Sequence, residues 1–128
     1  LSFEEAEVLR ERAEDFLRVA ERLVEEGTYD LAAFHVEQYC QLYLKYKLLV
    51  KTGTYPRTHS LARLVKALLE MAPGLKPLLD LPENAIQLAR IEDAYIGARY
   101  LPRRYFKAEI ETMLYFVREV FKPLVEGV

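Results

Sequence analysis

The sequence predicts an all-α protein, an up-and-down bundle of four main helices with a short connecting helix. Apolar residues recur at three- and four-residue spacing through four long segments, which is the mark of helices with a buried face. No segment alternates with period two between turn residues at hairpin spacing. Gly27, Gly53, Pro56, Pro73-Gly74 and Pro102 fall between the periodic segments, where chain breakers belong. A chain of 128 residues suits one domain, spanning 1–128, and can bury one real core.

The first helix is expected to open at Ser2, with Glu5 at capping-box distance. Ala6, Leu9, Ala13, Phe16, Ala20 and Leu23 form its apolar stripe, joined by Leu17 and Val24. Glu4, Glu11, Arg18, Glu21, Arg22 and Glu25 fill the opposite face, and Gly27 ends the helix. The very short loop that follows predicts an antiparallel hairpin with helix two.

Helix two, from about Tyr29 to Thr52, has no ordinary solvent face. Tyr29, Ala32, Val36, Tyr39, Tyr43, Tyr46 and Val50 make one stripe, widened by Leu31, Leu42 and Leu49. Ala33, Cys40, Leu44 and Leu48 make a second apolar arc, and a helix apolar on two sides is covered on two sides. Gln38, Gln41 and Lys45 run between the arcs as a narrow polar seam. The surplus of apolar surface and its tyrosines predict a homodimer.

Gly53 stops helix two, and Pro56 keeps Tyr55 out of helical conformation. Thr58 is placed to cap a shorter helix carrying Leu61, Leu64, Val65, Leu68 and Leu69, which Pro73-Gly74 breaks. The segment LKPLLDL reads as a helical turn. Pro82 then opens helix four, with Ile86, Ala89, Ile91, Ala94, Tyr95 and Ala98 expected inward and an end near Arg99. The last helix presents Ile110, Met113, Leu114, Val117, Val120, Phe121 and Leu124.

Composition narrows the function. A formal net charge of −2 argues against a general nucleic-acid scavenger but leaves room for a local basic site. One cysteine, Cys40 in an apolar arc, excludes a disulfide framework and reads as a buried, inert thiol. It cannot build a zinc site with the two separated histidines, His35 and His59. The acidic, amphipathic N-terminus is unlike a signal peptide, and no apolar run nears the roughly 20 residues that span a bilayer. A soluble, cytoplasmic protein is expected, and few Asn and Gln beside many Glu, Arg and Lys hint at a thermophile.

Chemistry has three candidate places. Arg99, Tyr100, Arg103, Arg104, Tyr105 and Lys107 crowd one helix junction, where cations can grip phosphates and rings can stack a base. The competing reading pairs these arginines with nearby glutamates and packs the tyrosines. His59 sits at a helix start, where N–H groups and the positive dipole end favour an anion, with Arg57 and Arg63 beside it. Lys45, lying between apolar arcs, needs a carboxylate, carbonyl or phosphate, and Glu92 or Asp93 can serve. His35 reads as a packed histidine. The P-loop, the Rossmann glycines, the G-x-S-x-G elbow and the H-E-x-x-H pair are all missing, and no cofactor is expected.

Two stretches together resemble the HEPN family (higher eukaryotes and prokaryotes nucleotide-binding). One is the opening YDLAAFHVEQ, followed by a late lysine, a glycine and a Pro-x-THSL restart; the other is AYIGARY, similar to the family's Ala-Arg-Tyr-Pro signature. The resemblance runs from about Ala13 into the last helix and implies the same helical architecture. It marks Arg99 as the signature arginine and Lys45 as a lysine frequent at this point. Many members are metal-independent ribonucleases carrying an Arg followed four to six residues on by His, and this chain lacks that pattern. The resemblance therefore favours a second family role: nucleotide-binding partner of a separate minimal nucleotidyltransferase, in a two-component, toxin–antitoxin-like pair. The alternatives are a ribonuclease, or a structural homodimer without ligand. The expected site joins Arg99, His59, Lys45, Tyr100 and Arg103 around a nucleotide or RNA phosphate.

Overall fold

The computed structural model describes residues 3–128, and every regular element among them is helical. Helix α1 (Phe3–Glu25) lies along α2 (Tyr29–Thr52). The proposed Ser2 cap falls outside the described residues. At its other end, Gly27 takes φ +79°, with its N–H bonded to the Val24 carbonyl and that of Thr28 to Leu23. This paired closure satisfies two orphan carbonyls and reverses the chain within three residues. Gly53 ends α2 in the same left-handed region, φ +85°, donating to Leu49.

Helix α2 is the axis of the molecule, packed by α1, α3 (Leu61–Leu69), α5 (Pro82–Tyr100) and the C-terminal helices. Ala32, Val36 and Tyr39 on one arc and Ala33, Cys40 and Leu44 on the other are all fully buried. Both arcs are thus covered within one chain, which corrects the reason given for a dimer. Only Leu31 and Val50 of the wide stripe are exposed, while Leu42 is half-buried against the core. Leu42→Ala is accordingly expected to cost on the order of 1–2 kcal/mol, below the full core penalty. Urea unfolding checks it, and a loss above about 3 kcal/mol would place Leu42 in the core after all.

The cap of α3 also differs from expectation. Ser60, not Thr58, is the N-cap, accepting from the Arg63 N–H at 3.2 Å, while Thr58 Oγ1 accepts from the Ser60 N–H at 3.0 Å. After α3 come a 3₁₀ turn (Pro73–Leu75) and the short α4 (Pro77–Asp80). Leu75 and Leu78 bury there, closing one end of the core.

Helix α5 buries Ile91 and Ala94 as expected and half-buries Tyr95 and Ala98, but its first turns face otherwise. Asn84, Leu88, Ile91, Ala94 and Gly97 are buried, whereas Ile86 is 59% exposed and Ala89 faces solvent. Asn84 tolerates burial because its side-chain amide donates to the Pro77 carbonyl at 3.1 Å, tying α5 to α4. Gly97 makes room for Tyr105, whose hydroxyl lies 3.3 Å from where a Cβ would stand.

The last helix is interrupted. Helix α6 (Lys107–Phe116) widens into a π turn (Val117–Phe121) before α7 (Lys122–Glu126). Pro123 has no N–H to give the carbonyl four residues back, and its ring crowds that position. The Lys122 N–H reaches Val117 instead, five residues back. The extra residue shifts the stripe: Phe116 and Val125 bury, while the expected Val120 and Leu124 are only half-covered. Lys47 of α2 anchors this end by donating to the carbonyls of Glu126 and Val128, each at 3.1 Å.

Candidate phosphate-binding site

The site grows from one face of α5 and the loop joining α2 to α3. Glu92, Tyr95 and Arg99 are spaced three and four apart, so they share a face. Glu92 accepts from the Leu61 N–H at 2.7 Å and weakly from that of Ala62 at 3.4 Å. The start of α3 is therefore occupied by a carboxylate of the same chain, which corrects two expectations. The first-turn amides beside His59 are not open to a ligand, and Glu92 is not the partner of Lys45.

Tyr95 joins two residues that the sequence keeps far apart. The His59 ring stacks on it, 4.5 Å between centroids and 10° between planes. The Arg99 guanidinium lies over the same Tyr95 ring at 4.5 Å, over Phe34 at 4.5 Å and over Tyr100 at 4.8 Å. Arg99 Nε donates to the Tyr95 carbonyl at 2.8 Å, and Nη1 reaches the Tyr100 hydroxyl at 3.4 Å. No carboxylate among the described residues pairs with it. Three rings and a carbonyl fix the plane of the fork and leave N–H groups for an oxyanion.

Beside this assembly lies an open groove of about 1180 Å³, whose walls include Arg12, Gln41, Lys45, Tyr55, Arg57, His59 and Tyr95. Arg12 and Arg57 form no ion pair with another described residue. Lys45 Nζ donates to Gln41 Oε1 at 3.0 Å and stands 5.3 Å from the centre of the Tyr55 ring. Burial lowers the Lys45 pKa, and the negative charge of Glu37 partly offsets this. Glu4 and Glu5 at the groove's edge temper its positive balance.

Behind Gln41 sits the group that the sequence reading missed. Glu37 is wholly buried, its carboxylate accepting from Gln38 Nε2 and from Gln41 Nε2, each at 2.7 Å. Burial pushes its pKa up to about 7; the two amide hydrogen bonds, then Arg99 and Lys45, pull the other way. The signal was available: Glu37, Gln41 and Lys45 stand four residues apart in turn, on one line along α2. On that line Gln41 and Lys45 reach the groove, while Glu37, one turn further in, is closed off.

The remaining candidates separate. Arg103 lies 2.9 Å from Glu109 and over the Tyr105 ring at 3.8 Å, and it lines a second cavity of about 460 Å³ with Arg90, Asp93 and His59. Arg104 pairs with Asp30 at 3.0 Å, and Asp30 also accepts from the Tyr105 N–H at 2.8 Å. The basic cluster expected around residues 99–107 is thus divided, because acids on α2 and α6 claim its members. Tyr100 is 69% exposed, with its ring against Arg99. His35 is packed between Phe16 and Phe34, its Nδ1 2.8 Å from the Leu31 carbonyl. Cys40 is fully buried, and burial raises its thiol pKa well above the usual range. Among the described residues no helix is long and apolar enough to cross a membrane.

An all-helical chain with a basic groove beside a ring-bound arginine is the class that fold and site define. More particularly, the family model described as HEPN domain matches residues 6–128, and the chain belongs to that family. No curated protein and no solved structure matches it.

Proposed function

We propose that this HEPN domain is a nucleotide-binding module, holding a phosphate-bearing ligand between Arg99, His59 and Lys45. The carrying observation is Arg99, a guanidinium held flat by Phe34, Tyr95 and Tyr100 and in no ion pair with a carboxylate among the described residues. Arg12, Lys45 and Arg57 line the groove beside it, offset in part by Glu4 and Glu5, and Tyr55, Tyr95 and Tyr100 offer rings for a base. The wider reading is a cytoplasmic single domain, an up-and-down bundle of four main helices serving a separate minimal nucleotidyltransferase. Arg103, in the neighbouring cavity, contacts the far side of the ligand only if the two spaces join at His59.

Titration with ATP, GTP and a short RNA tests this. Arg99→Ala is expected to weaken binding by about 10- to 100-fold, the loss of a charge-assisted contact, and His59→Ala by less. Absence of saturable binding at millimolar ligand, or unchanged binding by both variants, overturns the reading in favour of a structural domain.

A second reading has its own observation. His59 and Arg99 meet on Tyr95 although the usual Arg-to-His spacing is missing, so the pair that a metal-independent ribonuclease needs is near to hand. Cleavage of labelled RNA in chelator, lost in His59→Ala, would support it. For the homodimer, the outer face of α5 replaces α2 as the contact: Ile86, Ala89, Ile96 and Tyr100 are exposed along one stripe with Asp93. Sedimentation at micromolar concentration decides between dimer and monomer.

A further inference from the structure

Two hydrogen bonds fix the buried Glu37 carboxylate, and one of them, with a third, connects it to the groove. Gln38 Nε2 donates to Glu37 Oε1, Gln41 Nε2 to Glu37 Oε2, and Lys45 Nζ to Gln41 Oε1. The amide of Gln41 is thereby oriented at both ends, its NH₂ toward the carboxylate and its C=O toward the ammonium. Glu37 itself never reaches the groove; Gln41 and Lys45 do.

We propose that Glu37 is a positioning residue for the groove, acting on Lys45 through Gln41, and that an anion bound there is taken up together with a proton on Glu37. This deepens the phosphate-binding reading above and rests on it. The charges acting on Glu37 are Lys45 on its own helix and Arg99 from α5; the neighbouring Cys40 thiol is neutral. Arg12 from α1 and Arg57 and His59 from the α2–α3 loop edge the groove that Gln41 lines. Of the two cations that favour the ionised carboxylate, Lys45 lines the groove and Arg99 lies over Tyr95 in its wall, and both belong to the phosphate site read above. A phosphate that neutralises them removes the stabilisation of the Glu37 anion and adds a negative charge of its own. In a dry interior both changes favour the protonated acid.

The protein stands at the point where such coupling can be read, because free Glu37 is half-protonated at about pH 7. Anion binding raises the proton affinity further, so the proton enters as the ligand binds. By linkage, affinity then falls as pH rises through that range. If the ligand moves the proton affinity by one pH unit, affinity at pH 8.5 is about sevenfold weaker than at pH 6.

The probe must keep its own charge fixed, so a tetraadenylate with 5′-hydroxyl and 3′-hydroxyl ends is used, whose phosphodiesters do not titrate between pH 6 and 8.5. Calorimetry of the wild-type protein at pH 7, in two buffers of different ionisation enthalpy, counts protons taken up. A positive fraction of one proton is expected. Histidine as a class also titrates in this range, so two variants separate the sources. Glu37→Gln is expected to lose the uptake and the pH dependence, binding at pH 8.5 about as tightly as at pH 6. His59→Asn is expected to bind more weakly and keep the uptake. Saturable binding with no uptake in either buffer overturns this inference alone, as does uptake that survives Glu37→Gln and vanishes with His59→Asn. No saturable binding at any pH overturns the phosphate site and this inference with it. The wild-type measurement needs no variant to fold.

Discussion

Phe121→Ala should destabilise the protein by about 3–5 kcal/mol, the largest single-residue effect expected here. Phe121 is fully buried inside the π turn, its ring 5.8 Å from that of Tyr39 and 6.4 Å from that of Phe116. Tyr39 is itself fully buried on α2 and its ring lies 5.5 Å from that of Tyr43, tilted by 44°, so the aromatic chain continues along the central helix. Removing the ring deletes the contact that holds the displaced register of the last helix against α2. A helix widened to five-residue bonding cannot slide half a turn to refill the space. Thermal or urea unfolding gives the number, and a loss under about 1 kcal/mol would show that the C-terminal turns contribute little to the cooperative core.

The second large effect is a dependence on pH. In the folded protein Glu37 keeps its proton up to about pH 7, against an ordinary value of 4.5 when the chain is unfolded. Between those values the folded state binds the extra proton, so stability falls as pH rises. The loss is complete above about pH 7, and at about 1.4 kcal/mol per pH unit it amounts to roughly 3 kcal/mol. Glu37→Gln has no proton to lose. Its stability relative to wild type should therefore rise by roughly 3 kcal/mol between pH 4.5 and pH 8, other groups cancelling in the comparison. Urea unfolding of both proteins at the two pH values measures it. Parallel behaviour, within about 0.5 kcal/mol, would mean that Glu37 is ionised in the fold as readily as in water.

Helix α2 illustrates how far pattern alone carries. Its two apolar arcs, the glycines at both of its ends and the α1 hairpin follow from spacing and turn chemistry, and the structure holds them where periodicity puts them. What the pattern did not say is who covers the arcs. A second chain was expected, yet the folded chain itself supplies the cover. The start of helix α5 departs from its pattern for a local reason, while Ile91 and Ala94 hold to it: Asn84 counts as polar until its bond to Pro77 is known, and Ile86 counts as apolar although it is exposed. The π turn was signalled by Pro123, but its effect on register depends on which carbonyl takes up the slack.

The site divided along the same line. Arg99, His59 and Lys45 were legible as candidates; that His59 and Arg99 share the Tyr95 ring, and that His59 and Lys45 line one groove, is a matter of tertiary structure. Tyr95 had been read only as an inward residue of its helix. Glu37 was passed over because an acid in a charge-rich chain counts as surface unless the positions around it are known to be closed.

Glu92 bears on how such a domain can diversify. By holding the first amides of α3 itself, the chain removes from the groove a receptor that would accept any small anion. Recognition is left to side chains on four separate pieces: Arg12 of α1, Lys45 and Gln41 of α2, the loop with Arg57 and His59, and Tyr95 with Arg99 on α5. Each can be exchanged without disturbing a helix end, so ligand preference is free to drift among descendants of one scaffold while the scaffold itself stays put.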